Sequence, residues 1–165
     1  MIRDKAILVT GGSGSVGRIL VRRLLDANPD VIRILDQSEP SLAAFKSELD
    51  DDRCRFLAGN IRDKDRLSRA IDGIDTVIHT AAMKHVDISE YNPFEAVKTN
   101  VVGVQNLLDA AIDADVDRFI FTSSDKAAHP ANTMGTTKLL GAKLVTAANK
   151  YSGGHDIGLA SVRFG

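Results

Sequence analysis

An adjacent acid and amine, Asp125 and Lys126, follow the apolar stretch Asp117 to Thr122, whose composition predicts a β-strand. Side by side, the two groups could donate and accept protons in one reaction. As isolated groups at neutral pH both are in the wrong protonation state for these roles. A free lysine titrates near ~10.4 and is protonated, whereas a free aspartate titrates near ~3.9 and has lost its proton. Removal from water favours the neutral amine and the neutral acid, so proton transfer by this pair predicts a dry pocket. The alternative is an ion pair on the surface at the end of a strand.

The direction of the two side chains sets a second condition. Successive residues of a strand point to opposite faces, so Asp125 and Lys126 can reach one substrate only if the chain leaves the strand before them. The small residues Ala127 and Ala128, and the loop to Pro130, are consistent with such an exit.

The elements that must position these groups begin with a glycine-rich loop. An apolar strand from Ala6 to Val9 is followed by glycines at the spacing that turns a chain off a strand, admits a pyrophosphate and packs the next helix closely. A phosphate would lie at the N-terminus of that helix, where unpaired N–H groups and the helix dipole favour an anion. A mobile surface loop is the alternative, but the strand before the loop and the amphipathic helix after it favour dinucleotide binding. The residues assigned to the cofactor here are Gly11, Ser13, Gly14, Ser15, Val16 and Gly17.

An acidic residue, Asp36, ends the second predicted strand, Val31 to Leu35, and follows Gly17 by 19 residues. At this position a carboxylate accepts hydrogen bonds from the ribose hydroxyls of a dinucleotide. Because a carboxylate also repels a 2′-phosphate, NAD is predicted in preference to NADP. Arg33 and Arg62 leave NADP open as the second choice.

Other strand ends supply further candidates, since open α/β sheets bind ligands at the carboxyl ends of their strands. Asn60 follows the third strand and could read the adenine edge, with a helix N-cap as the alternative. Ala81 and Ala82 follow the fourth strand and could let the pyrophosphate and ribose approach, although small residues there could equally serve packing. Lys84 and His85, just beyond, are candidates for binding an anionic substrate, with solvated surface charges as the alternative.

The bulk composition restricts the class of protein. The 165 residues suit one domain, assigned to residues 1–165, with 44% hydrophobic and 26% charged residues. A net charge of −1 gives no reason to expect nucleic acid or an anionic membrane as a partner. The single cysteine, Cys54, fits a reducing cytoplasm. No metal site is predicted, because His79 and His85 have no carboxylates beside them at the spacing of metal ligands. No apolar run reaches membrane-spanning length, and because Met1 leads directly into the first predicted strand, no signal peptide is expected.

Strands and helices alternate along the chain, which predicts an α/β fold: a doubly wound parallel sheet of the Rossmann type in the order 3-2-1-4-5-6. The third, fourth and sixth strands are predicted at 53–58, 74–79 and 156–162. Helices after the first are predicted at 41–49, 64–71, 93–114 and 133–150, with Asp63 as a cap before residue 64 and a polar loop between Met83 and Asn92. The helix from Pro93 is predicted to bury Ala96, Val97, Val101, Val104, Leu107, Leu108 and Ala111.

The residues after the fifth strand resemble the catalytic set of the short-chain dehydrogenase/reductases. In that family a serine or threonine at the strand end works with Tyr-x-x-x-Lys on the next helix, where the lysine lowers the pKa of the tyrosine and binds the nicotinamide ribose. Ser124 and Lys138 occupy the outer positions, but Met134 stands where the tyrosine is expected. A thioether is no useful proton donor or acceptor, which disfavours alcohol oxidation through a tyrosinate and leaves Asp125 and Lys126 as proton carriers.

Longer motifs make the resemblance more specific. They are Ala82-Met83-Lys84-His85-Val86, Glu90-Tyr91-Asn92-Pro93, Lys98-Thr99-Asn100, Ser123-Ser124-Asp125-Lys126-Ala127-Ala128 and the Met-Gly-x-Thr-Lys run that begins at Met134. Together they resemble the inverting UDP-N-acetylglucosamine 4,6-dehydratases of the CapD-like polysaccharide biosynthesis family. Members with the methionine include membrane-anchored proteins, whereas a relative without a membrane segment is expected here.

This resemblance implies a reaction on a UDP-sugar in which NAD+ takes hydride from carbon 4, water leaves across carbons 5 and 6, and hydride returns to carbon 6. By analogy, Lys126 is the base at carbon 5 and Asp125 is the acid for the departing hydroxyl, while Ser124 and Lys138 complete the catalytic set. The cofactor-binding set then also includes Ile61, Lys84, Asn100 and Lys138. Similar proteins are commonly dimers through their long helices, so a homo-oligomer is expected.

We therefore expect the cofactor-binding and proton-transfer portion of a longer dehydratase, with the C-terminal region that covers the substrate missing. Such a chain should bind NAD and turn over UDP-N-acetylglucosamine slowly or not at all. Two alternatives stay open: a nucleotide-sugar 4-epimerase, which returns hydride to carbon 4, and a non-catalytic dinucleotide-binding module.

Overall fold

The computed structural model describes residues 2–164, which form one parallel β-sheet with helices on both faces. The strands are β1 (Ala6–Thr10), β2 (Val31–Asp36), β3 (Cys54–Ala58), β4 (Thr76–His79), β5 (Arg118–Ser124) and β6 (Gly158–Phe164). Their order is β3-β2-β1-β4-β5-β6, which confirms the predicted doubly wound fold. The predicted strand bounds are correct to within two residues. Gly165, predicted to follow the sixth strand, lies outside the described residues.

The helices are α1 (Ser15–Asp26), α2 (Glu39–Glu48), α3 (Lys64–Ile71), α4 (Val86–Tyr91), α5 (Pro93–Val97), α6 (Gly103–Asp113) and α7 (Thr133–Tyr151). A π-helical turn, Lys98–Val102, joins α5 to α6, and a 3₁₀ turn, Asp125–Ala127, follows β5. α3 has the predicted bounds, and the Asp63 side chain caps it by accepting a hydrogen bond from the Arg66 N–H. α2 begins earlier than predicted because Ser38 caps it and a proline suits its first turn.

The segment predicted as a polar loop contains α4, so that prediction is wrong. α4 packs against α7, and its Glu90 carboxylate accepts a hydrogen bond from the backbone N–H of Thr133 at the start of α7. A helix of six residues is too short to be stable alone or to show a clear apolar period. Its helical state therefore depends on the contact with α7.

The long helix predicted from Pro93 is interrupted by the π-helical turn. Asn100 lies in this turn and is buried, and its side-chain amide bonds the backbone of Met83 and the hydroxyl of Thr137. The wider turn shifts the phase of the helix. As a result Val97, predicted on the buried face, is 41% exposed, whereas Val104 is buried as predicted.

The core lies on both sides of β1, all of whose residues are buried. On one face, Ile7 and Val9 pack with apolar residues of α1 and α2. On the other, Leu8 packs with residues of α3, α6 and α7. This arrangement brings the carboxyl ends of β1, β2, β4 and β5 to one edge of the sheet. Within residues 2–164 no helix combines the length and the apolar character that crossing a membrane requires.

Candidate functional site

A cleft of about 400 Å³ opens at the carboxyl ends of β1, β2 and β4. Here β1 lies between β2 and β4, so the chain connections depart to opposite sides, and ligands bind at such a switch point in doubly wound sheets. Many of the predicted site residues line this cleft: Gly11, Gly14, Asp36, Asn60, Ile61, Ala81, Ala82, Lys84 and His85. The structure thus brings together residues that are up to 74 positions apart in the chain.

Two glycines of the loop after β1 are required by its geometry. Gly11 has φ +68°, and a Cβ there would stand 2.6 Å from the backbone nitrogen of Ala81. A Cβ on Gly17 would stand 2.5 Å from the Cα of Gly12, so only glycine lets α1 approach the loop. Thr80 fastens the loop to β4, since its hydroxyl donates to the carbonyl of Thr10 at 2.7 Å.

The N-terminus of α1 is free to receive an anion. Its N-cap residue, Gly14, has no side chain to accept a hydrogen bond from the first turn, and no acidic residue lies in that turn. Gly14, Ser15 and Val16 are exposed there. Free N–H groups together with the helix dipole favour a phosphate. The pyrophosphate site stays a prediction, and the exposed N-terminus of α1 is the feature that it requires.

Ser13 and Gly17, also predicted to bind the cofactor, are buried and do not line the cleft. The N–H of Ser13 donates to the Asp36 carboxylate at 3.3 Å. The hydroxyl of Ser13 is buried and has no hydrogen-bond partner within the part of the chain described. Ser13 thus links the loop to the end of β2, while Gly17 acts through packing.

The Asp36 carboxylate faces the cleft without a cationic partner among residues 2–164. It accepts two backbone hydrogen bonds, from Ser13 and from Ser38 at 3.1 Å. The two arginines that left NADP open are held elsewhere. Arg33 donates to the carbonyls of Ala70 and Asp72 at the end of α3, and Arg62 lines the cleft but is bonded to Glu95 and Thr99.

The residues after β3 form the wall next to Asp36. The side-chain oxygen of Asn60 accepts a hydrogen bond from the backbone N–H of Arg62 at 3.0 Å. The side-chain NH₂ group of Asn60 donates to the side-chain oxygen of Gln37 at 3.0 Å. One N–H of that NH₂ group is left for a ligand. Ile61 is buried against Gly103, and a Cβ added to Gly103 would stand 2.7 Å from the side chain of Ile61. Asp63, and not Asn60, caps α3, as predicted.

The loop after β4 forms the opposite wall. Lys84 and His85 are exposed there and line the cleft, so a ligand could reach both. Asn100, predicted to bind the cofactor, lies behind this wall and is 1% exposed. Its side-chain oxygen accepts from the backbone N–H of Met83 at 2.8 Å, and its NH₂ group donates to the carbonyl of Met83 at 2.9 Å. Asn100 therefore fixes the loop and does not itself line the cleft.

Ser124, Asp125 and Lys126 lie at the end of β5, outside the walls of the cleft. The chain leaves the strand in the 3₁₀ turn that starts at Asp125, as the proton-transfer hypothesis requires. The Lys126 ammonium lies 3.4 Å from the Asp125 carboxylate, and Ser124 donates to the same oxygen at 2.8 Å. The acid and the amine are therefore neighbours in space.

The predicted dry pocket around this pair is wrong for the chain as described. The side chains of Lys126 and Asp125 are 49% and 58% exposed. The hydrogen bond from Ser124, followed by those from the backbone and side chain of Lys126, holds the pKa of Asp125 below its ordinary value. Water therefore reaches both side chains and favours the charged pair, although the start of α7 lies against the backbone of the turn.

The helix α7 places Lys138 and Met134 one turn apart, and both are buried. Lys138 donates to the carbonyl of Thr122 on β5 at 2.6 Å, and burial lowers its pKa to about 8. Met134 is 4% exposed, which agrees with a packing role for the residue at the tyrosine position. Gly135 lies directly against the carbonyl of Lys126, where a Cβ would clash, so the start of α7 and the turn after β5 are in contact.

Several cleft residues were given no role in the sequence analysis: Gln37, Gly59, Met83, Ile88 and Thr99. Gln37 and Gly59 directly follow strands, so the binding of ligands at the carboxyl ends of strands could have indicated them. Ile88 and Thr99 come from α4 and the π-helical turn, which fold back over the cleft. Only the tertiary structure places them there.

The chain is similar to several curated proteins, two of which are named for reactions of nucleotide sugars. It is 42% identical to the UDP-N-acetylglucosamine 4,6-dehydratase (inverting) of Campylobacter jejuni, covering 100% of this chain and 50% of that protein. It is 52% identical to the uncharacterized membrane protein MJ1061 of Methanocaldococcus jannaschii, covering 99% of this chain and 49% of that one. A UDP-glucose 4-epimerase of Rickettsia felis is 36% identical, with 100% and 50% covered. The chain thus spans about half the length of the curated relatives it matches.

Solved structures agree with this relationship. Pen from Bacillus thuringiensis superposes with a TM-score of 0.96 at 42% identity, over 99% of this chain and 51% of that one. DesIV from Streptomyces venezuelae, a dTDP-glucose 4,6-dehydratase solved with NAD bound, superposes with a TM-score of 0.83 at 31% identity, over 96% and 55%. The family model for polysaccharide biosynthesis proteins matches residues 7–165, nearly the whole chain. With that match, and with the same fold in these structures, the chain belongs to the polysaccharide biosynthesis protein family.

Proposed function

We propose that this chain carries the cofactor-binding and proton-transfer residues of a UDP-N-acetylglucosamine 4,6-dehydratase. The observation that carries the proposal is the cleft, where the uncapped N-terminus of α1 and the carboxylate of Asp36 meet at one switch point. The 42% identity to a dehydratase of that name, over the whole of this chain, supports the choice of reaction and sugar.

The residues present fit NAD. Gly11, Gly14 and the N-terminus of α1 would hold its pyrophosphate, and Asp36 would accept hydrogen bonds from the ribose hydroxyls. When bound, NAD would supply the acceptor and donor of hydride. NAD is preferred to NADP because a 2′-phosphate beside Asp36 would meet a carboxylate, while Arg33 and Arg62 are engaged elsewhere.

Lys126 and Asp125 are the proposed proton carriers, for carbon 5 of the sugar and for the hydroxyl that leaves carbon 6. Their exposure sets a condition on this assignment, because the neutral amine and acid need a site from which water is excluded. We propose that water is excluded by the bound substrate together with a further segment of chain, or a partner protein, that covers the turn after β5. The relatives, about twice as long as this chain, have sequence that could do so.

Binding and chemistry are tested separately. Calorimetric titration with NAD, NADP and UDP should show NAD binding, NADP weaker by about tenfold or more, and no binding of UDP to this chain. Equal affinity for NAD and NADP would contradict the selectivity argued from Asp36. No binding of either dinucleotide would contradict the cofactor site itself.

The reaction is followed by mass and NMR spectra of UDP-N-acetylglucosamine after prolonged single-turnover incubation with NAD. We expect slow formation of a product lighter by one water, lost in Lys126→Met and retained in Lys143→Met, which changes an exposed lysine on α7. A product of unchanged mass with carbon 4 inverted would identify a 4-epimerase, the activity named for the Rickettsia relative. NAD binding without any product would mean that residues 1–165 alone do not carry out the dehydration, and would favour a dinucleotide-binding module as the role of this chain by itself.

We also propose a homo-oligomer in the cytoplasm. Large apolar side chains are exposed on α4, α5, the π-helical turn and α7, four elements that pack together: Tyr91, Phe94, Val97, Val102 and Leu140. Tyr91 and Phe94 are 88% and 80% exposed, which is costly for apolar residues grouped together. A second copy of the chain would cover this apolar face.

A further inference from the structure

Lys138 is a buried cation that lacks a carboxylate partner. The residue is 6% exposed, burial lowers its pKa to about 8, and no carboxylate between residues 2 and 164 offsets that shift. A buried ammonium is unfavourable unless other groups interact with its charge. Two contacts do so here. The carbonyl of Thr122 accepts a hydrogen bond at 2.6 Å, and the ammonium lies 4.4 Å from the centre of the Phe121 ring.

The Phe121 ring is fixed from two sides. It is fully buried on β5, and its centre lies 5.6 Å from that of the His79 ring on β4, with 32° between the planes. On the side of α7, a Cβ on Gly141 would stand 3.1 Å from the ring. The glycine lets the helix that carries Lys138 approach the ring. The face of an aromatic ring attracts a cation at this distance.

The surroundings of the ammonium are otherwise neutral. His79 is fully buried, and burial lowers its pKa to about 3, so it carries no charge at neutral pH. Thr122 joins the same group, since its hydroxyl donates to the carbonyl of His79 at 2.9 Å. The charged pair of the next turn, Asp125 and Lys126, bonds to itself and is about half exposed. Phe121 is therefore the main side chain that favours the charged form of Lys138.

We propose that Phe121 is a positioning residue for Lys138, whose charged ammonium it holds at the end of β5 through the face of its ring. This inference rests on the proposed function, and within it on the cofactor-binding role that the family resemblance implies for Lys138. Loss of the ring face should lower the fraction of Lys138 that is protonated and leave the ammonium less firmly positioned. The backbone carbonyl of Thr122 alone would then hold the group.

The direct test replaces Phe121 by phenylalanines that carry increasing numbers of fluorines, which keep the ring and weaken the negative potential of its face. The reactivity of Lys138 toward trace acetic anhydride is measured against pH by peptide mass spectrometry, without any cofactor. We expect the pH midpoint of Lys138 acetylation to move to lower pH with each added set of fluorines, by about 0.5 to 1 pH unit for the fully fluorinated ring. An unchanged midpoint across the series would overturn the proposal.

A matched pair of ordinary variants separates charge from packing. Phe121→Leu and Phe119→Leu remove buried rings of the same strand, and both rings lie near His79, but only Phe121 lies against Lys138. Only F121L should lower the Lys138 midpoint and weaken NAD binding by about threefold to tenfold. Equal shifts in both variants would mean that the rings act through packing, and would contradict the inference. If the unmodified chain does not bind NAD, the proposed function fails, while the midpoint still tests the contact.

Discussion

Gly11 and Ala81 approach so closely that a Cβ at position 11 would stand 2.6 Å from the backbone nitrogen of Ala81. This contact presses the loop after β1 against the end of β4 and shapes the floor of the cleft. Gly11 also has φ +68°, a conformation that residues with a Cβ rarely adopt. The position therefore combines a backbone requirement with a packing requirement.

Replacement of Gly11 by alanine should weaken NAD binding by about tenfold or more, because the loop must move away from β4. Gly73→Ala is the matched control: it has the same φ of +68° but no atom within 4 Å of an added Cβ. It should cost only the backbone strain, about 1 to 2 kcal/mol of unfolding free energy, and leave binding intact. Calorimetry and urea unfolding measure the two effects. A G11A chain that binds NAD as tightly as G73A would show that the approach to Ala81 is unimportant.

Asp36→Asn should reduce the preference for NAD over NADP. The variant keeps the size of the side chain but removes the charge that repels a 2′-phosphate, and it weakens the hydrogen bonds from the ribose hydroxyls. We expect NAD affinity to fall by about tenfold while NADP affinity stays the same or rises. The control is Asp52→Asn, an exposed aspartate outside the cleft. An unchanged ratio of the two dissociation constants in D36N would contradict the assigned role.

The buried His79 should make the protein acid-sensitive. Burial, with a smaller effect of the Lys138 charge, lowers the pKa of folded His79 to about 3, whereas an unfolded histidine titrates near ~6.5. Between these values the unfolded chain binds a proton that the folded chain does not. The free energy of unfolding should therefore fall with falling pH across this window, by up to about 1.4 kcal/mol per pH unit from this residue.

His79→Gln should remove this part of the slope, because the amide does not titrate. The measurement is urea unfolding at several pH values, and the difference between variant and parent cancels the carboxylates that titrate in both. His129→Gln, at an exposed position, should keep the slope of the parent. Parallel curves for H79Q and the parent would show that folding does not lower the pKa of His79.

The exposed apolar face on α4, α5, the π-helical turn and α7 predicts self-association. Phe94→Glu places a charge at a residue that is 80% exposed, so it should leave the fold intact and shift the chain toward monomer. Tyr151→Glu, at an exposed aromatic residue of α7 outside this face, should not. Light scattering after gel filtration gives the mass of each species. A parent chain that is monomeric at high micromolar concentration would contradict the proposed oligomer.

Sequence reasoning worked where local chemistry determines the structure. Gly11 and Gly17 mark a turn that only glycine can make, and Asp36 follows at the distance fixed by one helix and one strand. Asp63 caps α3 because its side chain reaches the helix three residues ahead. These relations involve short stretches of chain, so the order of residue types is sufficient to predict them.

The sequence by itself determined the doubly wound sheet and the position of the cleft at its strand ends, because apolar strands that alternate with helices have few ways to pack and strand ends must meet at one edge. Only the tertiary structure decided the π-helical turn at Asn100, the helical state of α4 and the exposure of Asp125 and Lys126. Each of these depends on what lies against a residue from a distant part of the chain. Burial, and with it the charge state of an acid and an amine, is set by those neighbours and not by the residue types themselves.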